Sequence, residues 1–121
     1  MQTINSTFDF PIFQKTYDMY KLFYSYLANF PKKDKYALGL RCENALLELL
    51  QALMMATTAP KNEKLPILHT ASVKLDVVKV FIRLCKDVKV IDNKKYLALE
   101  SSLQEIGRML GGWIKSSQTS A

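Results

Sequence analysis

A regular stripe of apolar side chains runs along residues 65–90, LPILHTASVKLDVVKVFIRLCKDVKV. Its members are spaced alternately by three and four residues: Leu68, Ala71, Leu75, Val78, Ile82 and Cys85. This is the a/d pattern of a heptad repeat, which places every member on one face of a helix. Such stripes are typical of helices that pack nearly antiparallel in a bundle, so a long bundle helix is predicted here.

Three further segments are predicted to be helices of similar length. The last segment repeats the heptad spacing with Tyr96, Leu99, Leu103, Ile106, Leu110 and Trp113. The second is rich in helix-forming residues, and the first carries an aromatic stripe of Phe13, Tyr17, Tyr20, Tyr24 and Leu27. Short breaks that contain proline or polar residues separate the segments, and short connections make neighbouring helices antiparallel.

The expected fold is therefore all-α, an up-down antiparallel four-helix bundle that forms one domain of residues 1–121. The helices are expected at about residues 11–29, 34–58, 65–90 and 93–116, followed by a frayed tail at 117–121.

Composition argues against several classes of function. With one histidine, four glycines and two cysteines, the chain lacks the parts of a zinc cluster, a histidine-based catalytic triad or a glycine-rich phosphate loop. No uninterrupted apolar run approaches the ~18 residues of a membrane span. Cys42 and Cys85 lie far apart in the sequence and form no CxxC motif, which favours a reduced, cytoplasmic protein. We expect neither an enzyme nor a protein that needs a metal or a cofactor.

The helix at 65–90 has a second apolar row beside its core stripe. Its members are Val73, Val77, Val80, Leu84 and Val88. A bundle helix needs only one stripe about 100° wide, so the extra row calls for another explanation. A central, well-covered helix would account for it, and so would a subunit interface. The interface, formed by Val73, Val77, Val80 and Leu84, is the favoured interpretation.

Basic residues exceed acidic ones by 17 to 11, which gives a formal net charge of +6. Lys79, Arg83 and Lys86 are spaced i, i+4, i+7 and share one helical face. Lys32 and Lys33 lie in the first break, with Lys35 beside them, and Lys94 and Lys95 lie at the last. These side chains are candidate contacts for an anionic partner such as a phosphate backbone. A solvated face that serves only solubility is the alternative.

Three glycines fall inside the last predicted helix, where each costs ~1 kcal/mol relative to alanine. Gly107 and Gly111 have GxxxG spacing and share a face, whereas Gly112 lies beside them. The spacing predicts the close approach of another backbone to this face.

The segment around these glycines, EIGRMLGGWI at residues 105–114, resembles the E-[IV]-G-R-x-L-G-x-W-I signature of the accessory variability determinant (Avd) proteins. Avd proteins accompany the reverse transcriptases of diversity-generating retroelements. The Phe30-Pro31-Lys32-Lys33 break is similar to the family's Pro-Arg/Lys-Lys/Arg turn. The match makes Gly107, Arg108, Gly111 and Trp113 the helix-packing signature of this chain.

The resemblance implies a non-catalytic four-helix bundle that assembles into a ring-like homopentamer with a basic surface. Avd proteins bind RNA and DNA with little sequence preference and associate with the retroelement reverse transcriptase, which they support in mutagenic cDNA synthesis. Lys79 and Arg83 match basic third-helix positions implicated in contacting nucleic acid or the polymerase.

A related group of bundle proteins is encoded in intervening sequences of large ribosomal RNA genes and shares the fold and the pentameric habit. It leaves one alternative open, a structural oligomerisation or protein-docking bundle without a nucleic-acid role.

Overall fold

The computed structural model describes residues 4–119, in which all the regular structure is helical. There are six α-helices: α1 (Ile4–Phe8), α2 (Pro11–Leu27), α3 (Lys32–Lys35), α4 (Leu38–Thr58), α5 (Lys64–Asp87) and α6 (Asn93–Thr119). A single 3-10 turn, Lys61–Glu63, precedes α5. The predicted all-α class is confirmed. None of the helices described is long and apolar enough to cross a membrane.

The four long helices close into a ring. α4 packs against α2 and α5, and α6 packs against α5 and α2. Because the connections are short, successive long helices run antiparallel. Consequently the α2–α4 and α5–α6 connections lie at one end of the bundle. The α4–α5 connection lies at the other end, with the start of α2 and the end of α6.

The heptad stripes form the core of this ring. All six members of the α5 stripe are buried, as are Leu99, Leu103, Ile106 and Leu110 of α6. The aromatic stripe predicted for the first helix is only partly correct. α2 buries Phe13 and Leu27 but presents Ile12, Thr16, Met19 and Phe23 to the core, and leaves Tyr24 exposed.

Several helix boundaries differ from the prediction for local reasons. The second helix begins at Leu38 instead of residue 34, because Lys32–Lys35 form a separate short helix and Ala37 leaves the helical region with φ −117° and ψ −93°. α5 ends at Asp87, three residues early, since Lys89 adopts a left-handed backbone with φ 66°.

The last helix extends further than expected. Residues 117–119 of the predicted frayed tail continue α6 as far as Thr119, whereas residues 120 and 121 lie outside the described residues. Its start is capped by Asp92, whose carboxylate accepts a hydrogen bond of 2.8 Å from the Lys95 backbone N–H.

Candidate nucleic-acid interface

One end of the bundle carries a dense group of basic side chains. Residues 28–41 form the α2–α4 connection with the start of α4, and residues 83–97 form the end of α5, the following turn and the start of α6. We call these two segments the basic end. They contain three acidic residues, Asp34, Asp87 and Asp92. They also contain nine basic residues: Lys32, Lys33, Lys35, Arg41, Arg83, Lys86, Lys89, Lys94 and Lys95.

The basic end therefore has a formal charge of +6, which is the net charge of the whole protein. The remainder of the chain has eight basic and eight acidic residues and is neutral overall. The folded protein is thus electrically polar, with its entire excess of positive charge at one end of the bundle.

Contacts made by residues in or directly beside the two segments indicate that the segments are neighbours in the fold. The Lys95 ammonium at the start of α6 lies 5.3 Å from the centre of the Tyr26 ring at the end of α2. Nearby, the sulfur atoms of Cys42 on α4 and Cys85 on α5 are 3.4 Å apart, as two buried free thiols. All four long helices therefore contribute to this end.

Three of the nine basic side chains have partners. The Arg83 Nε lies 3.2 Å from the Asp87 carboxylate, and this hydrogen bond raises the pKa of the arginine. Lys86 and Lys95 each lie over a tyrosine ring, with Lys86 4.6 Å from the centre of Tyr96. The other six make no ion pair or ring contact within residues 4–119: Lys32, Lys33, Lys35, Arg41, Lys89 and Lys94. They are available to an external anion.

The structure separates the three members of the basic row predicted on α5, Lys79, Arg83 and Lys86. Arg83 and Lys86 belong to the basic end, together with Lys32 and Lys33. Lys79 lies one helical turn earlier and faces α6, where a Cβ on Gly107 would lie 3.7 Å from its Nζ. Arg83 is paired with Asp87, so the row offers less free charge than its sequence spacing suggests. The role of these residues in binding stays a prediction.

The second apolar row of α5 is exposed. Val73, Val77, Val80 and Leu84 all lie on the outer side of the helix, and Val80 is 64% exposed. Val88 continues the row towards the basic end. Nothing else in the described chain covers it, so a central buried helix does not explain these residues.

The C-terminal signature has different roles at its different positions. The Trp113 ring stacks on Phe10 at 5.4 Å between ring centres and joins the end of α6 to the start of α2. Arg108 is exposed on the outer face of α6. A Cβ at Gly107 would meet only ordinary van der Waals contacts, and nothing in the described chain lies within 4 Å of one at Gly111. The close backbone approach expected at Gly107 and Gly111 is therefore not found within the described chain.

The clustering of charge at one end was not recognised from the sequence. Three of its parts stand out in the sequence: the lysines of the first break, Arg83 with Lys86, and Lys94 with Lys95. Arg41 and Lys89 were not singled out. The available signal is topological, because the first and third connections of an up-down bundle lie at the same end.

The fold and this charge distribution define a small helical-bundle protein with one strongly basic end. Residues 10–117 match the protein-family model described as bAvd-like, and the chain belongs to this family. The match confirms the resemblance to the Avd proteins that residues 105–114 indicated. No curated protein matches the sequence.

Proposed function

We propose that the protein is a non-catalytic accessory protein of a diversity-generating retroelement. In this role it binds template RNA or cDNA through the basic end and docks the reverse transcriptase that carries out the chemistry. The observation that carries the proposal is the concentration of the whole net charge of +6 at one end, where six basic side chains make no ion pair or ring contact within residues 4–119.

A phosphate backbone suits this end because it is a continuous row of negative charges. Each phosphate that a cationic side chain neutralises releases condensed counterions, which drives binding without regard to sequence. Seven of the nine basic residues are lysines. Lysine acts as a mobile point charge, whereas arginine makes planar two-pronged contacts that select for geometry. The composition of the basic end therefore favours contacts to phosphates over readout of bases.

The direct test is binding to a structured RNA across a series of salt concentrations. The logarithm of the binding constant should fall linearly with the logarithm of the salt concentration, by about 0.9 per duplex phosphate contacted or about 0.7 per single-strand phosphate. Absence of binding at low salt would contradict the nucleic-acid role. Retention of a retroelement reverse transcriptase on an immobilised copy of this chain would test the second half of the proposal.

We further propose that the chain assembles through the exposed row on α5, as a homopentamer like the Avd proteins it resembles. The row is continuous, apolar and uncovered, and large exposed apolar patches mark protein contacts. Five copies would bring five basic ends into one particle with a formal charge of +30. Such a particle would bind phosphate much more tightly than one chain, because several weak contacts act together.

Val80→Asp tests the interface. An aspartate in the middle of a buried apolar contact would be desolvated without a partner, so the mass of the assembly should fall towards that of one chain. Leu97→Asp is the matched control, because Leu97 is 54% exposed on α6, outside the row. Sedimentation of both variants distinguishes the outcomes. An unchanged mass for Val80→Asp would remove the row from the interface.

The exposed row also favours the second candidate function, a structural oligomerisation or protein-docking bundle without nucleic acid. Hydrophobic contacts respond weakly to salt in comparison with phosphate contacts. A chain that assembles normally but binds no RNA at any salt concentration would support this alternative.

A further inference from the structure

Two tyrosine rings are exposed at the surface, one within the basic end and one near it. Tyr36 is 69% exposed and Tyr24 is 61% exposed, whereas every other aromatic side chain whose burial is described is buried or half-buried. Tyr36 comes directly after Lys35 and lies within the basic end. An exposed aromatic ring among unpaired cations is a different kind of surface from a simple charged face.

Both tyrosines lie near the α2–α4 connection. Tyr36 belongs to the connection between α3 and α4. Tyr24 lies one turn before the end of α2, with its ring centre 6.3 Å from that of Tyr20. The Tyr20 hydroxyl donates a hydrogen bond of 2.6 Å to Glu43 on α4. Tyr24 therefore lies on the flank of α2 that faces α4, towards the connection that carries Tyr36.

Other tyrosines near the basic end differ in that one face is already occupied. Lys86 lies over Tyr96 and Lys95 lies over Tyr26. Tyr36 makes no ring stacking, cation–π contact or side-chain hydrogen bond within residues 4–119. Its ring is accessible to a planar ligand.

Free aromatic faces among lysines match the chemistry of unpaired nucleotides. Stacking of a base on an aromatic side chain strengthens binding markedly, and only an unpaired base can offer its face to the protein. In a duplex the faces are covered by neighbouring base pairs. Lysines beside the ring can meanwhile contact the phosphates on either side of the stacked base.

We propose that the basic end binds single-stranded nucleic acid in preference to duplex, with Tyr36 stacking on an unpaired base and Tyr24 supporting a neighbouring one. This inference rests on the proposed nucleic-acid function and specifies the form of the ligand. Lys32, Lys33 and Lys35 hold the backbone of the strand beside the ring.

The test compares a 20-nucleotide oligouridine with a duplex RNA of equal length, both fluorescently labelled, at one fixed salt concentration. Tyr36→Ala should weaken binding of the single strand roughly 5- to 150-fold and leave duplex binding within about twofold of the wild type. Tyr36→Phe keeps the ring and should bind the single strand almost as well as the wild type. Because Tyr36 has no internal contact of those kinds, both variants should fold, which circular dichroism verifies.

Lys32→Glu/Lys33→Glu separates this inference from the proposed function. If it weakens binding to both ligands while Tyr36→Ala affects neither, the basic end binds nucleic acid and the stacking role is wrong. Equal loss of single strand and duplex in Tyr36→Ala would also overturn stacking, since an effect on unpaired bases cannot appear in a duplex. If the wild type binds neither ligand, the proposed function itself fails.

Discussion

The contact between Tyr20 and Glu43 joins α2 to α4. Burial and the hydrogen bond to the carboxylate raise the pKa of Tyr20 to about 12, above its ordinary value of 10.0. In the unfolded chain the group has its ordinary pKa. The folded state therefore keeps the Tyr20 hydroxyl proton up to a higher pH than the unfolded state does. As a result, the free energy of unfolding depends on pH in the alkaline range.

The first prediction concerns this pH dependence. The stabilisation from Tyr20 should be complete below about pH 10 and should be lost progressively as the pH rises towards 12, because the unfolded state ionises first. Tyrosinate absorbance during an alkaline titration should show a late-ionising component that Tyr20→Phe removes. If the absorbance lost in Tyr20→Phe belongs to a group that ionises near pH 10, the contact is absent in solution.

Lys89 holds a backbone conformation that disfavours its own residue type. Its φ of 66° ends α5 and allows the Val90 backbone N–H to donate a hydrogen bond of 3.0 Å to the Cys85 carbonyl. A left-handed conformation costs a non-glycine residue roughly 1–2 kcal/mol, which is why glycine is common at this position of a helix end.

The second prediction separates the backbone of Lys89 from its charge. Lys89→Gly should raise the free energy of unfolding by roughly 0.5–1 kcal/mol, whereas Lys89→Ala keeps the strained φ and should leave it nearly unchanged. Both remove one cation of the basic end and should weaken RNA binding equally. Urea unfolding and RNA titration measure the two effects. If Lys89→Gly and Lys89→Ala have equal free energies of unfolding, the backbone of residue 89 is not strained. If neither variant binds RNA more weakly than the wild type, Lys89 is not part of the interface.

At the scale of the helices, the sequence predicted which face of each helix is buried better than it predicted where each helix begins and ends. The α5 and α6 stripes were correct because heptad spacing directly specifies one face of a helix. The α2 stripe was wrong in part because tyrosine is amphipathic, so Tyr24 can remain outside while Thr16 is buried. Thr16 tolerates burial because its hydroxyl donates a hydrogen bond of 2.8 Å to the Ile12 carbonyl. Such local compensation leaves no periodic signal.

The third prediction uses two helical glycines in contrasting surroundings. A Cβ at Gly39 would lie 2.5 Å from the buried Leu27 side chain and 3.1 Å from the Asp34 carbonyl, whereas one at Gly111 would meet nothing within 4 Å. Gly111→Ala should therefore stabilise the chain by about 1 kcal/mol. Gly39→Ala should destabilise it by roughly 1–3 kcal/mol.

Thermal or urea unfolding of the two alanine variants checks the predicted gain in stability for Gly111→Ala and the predicted loss for Gly39→Ala. If Gly111→Ala fails to stabilise the chain, a partner surface occupies the space beside it in solution. Sedimentation of the same variant then shows whether that partner is another copy.

At the scale of the whole molecule, charge is balanced along the bundle and unbalanced at one end. The flanks carry ion pairs between helices, Lys15 with Glu105 at 2.9 Å and Lys74 with Glu48 at 2.7 Å. At the opposite end Lys64 donates a hydrogen bond of 2.5 Å to the Ala56 carbonyl in the last turn of α4. These cations have partners within the chain, whereas most of those at the basic end have none.

This uneven distribution of charge could not be predicted from the sequence alone. The sequence showed that the first and last breaks carry lysines, but their nearness depends on the order in which the helices pack. Arg41 and Lys89 join the same surface only once α4 and α5 are placed with their ends together. The candidate site was therefore partly predictable, in its lysine clusters, and its extent required the fold.

The most direct test of the account is a pair of charge reversals with the same net effect. Lys32→Glu/Lys33→Glu changes the basic end, and Lys61→Glu/Lys115→Glu changes exposed lysines at the opposite end. Each pair lowers the formal charge from +6 to +2. RNA binding of both variants and the wild type should be measured across one salt series, with folding and assembly mass checked on the same samples.

The account predicts that the first pair greatly weakens binding and reduces the salt slope by up to about two phosphate contacts, while the second has a much smaller effect. Equal losses from both pairs would contradict it, because binding would then follow the net charge of the protein and not the basic end.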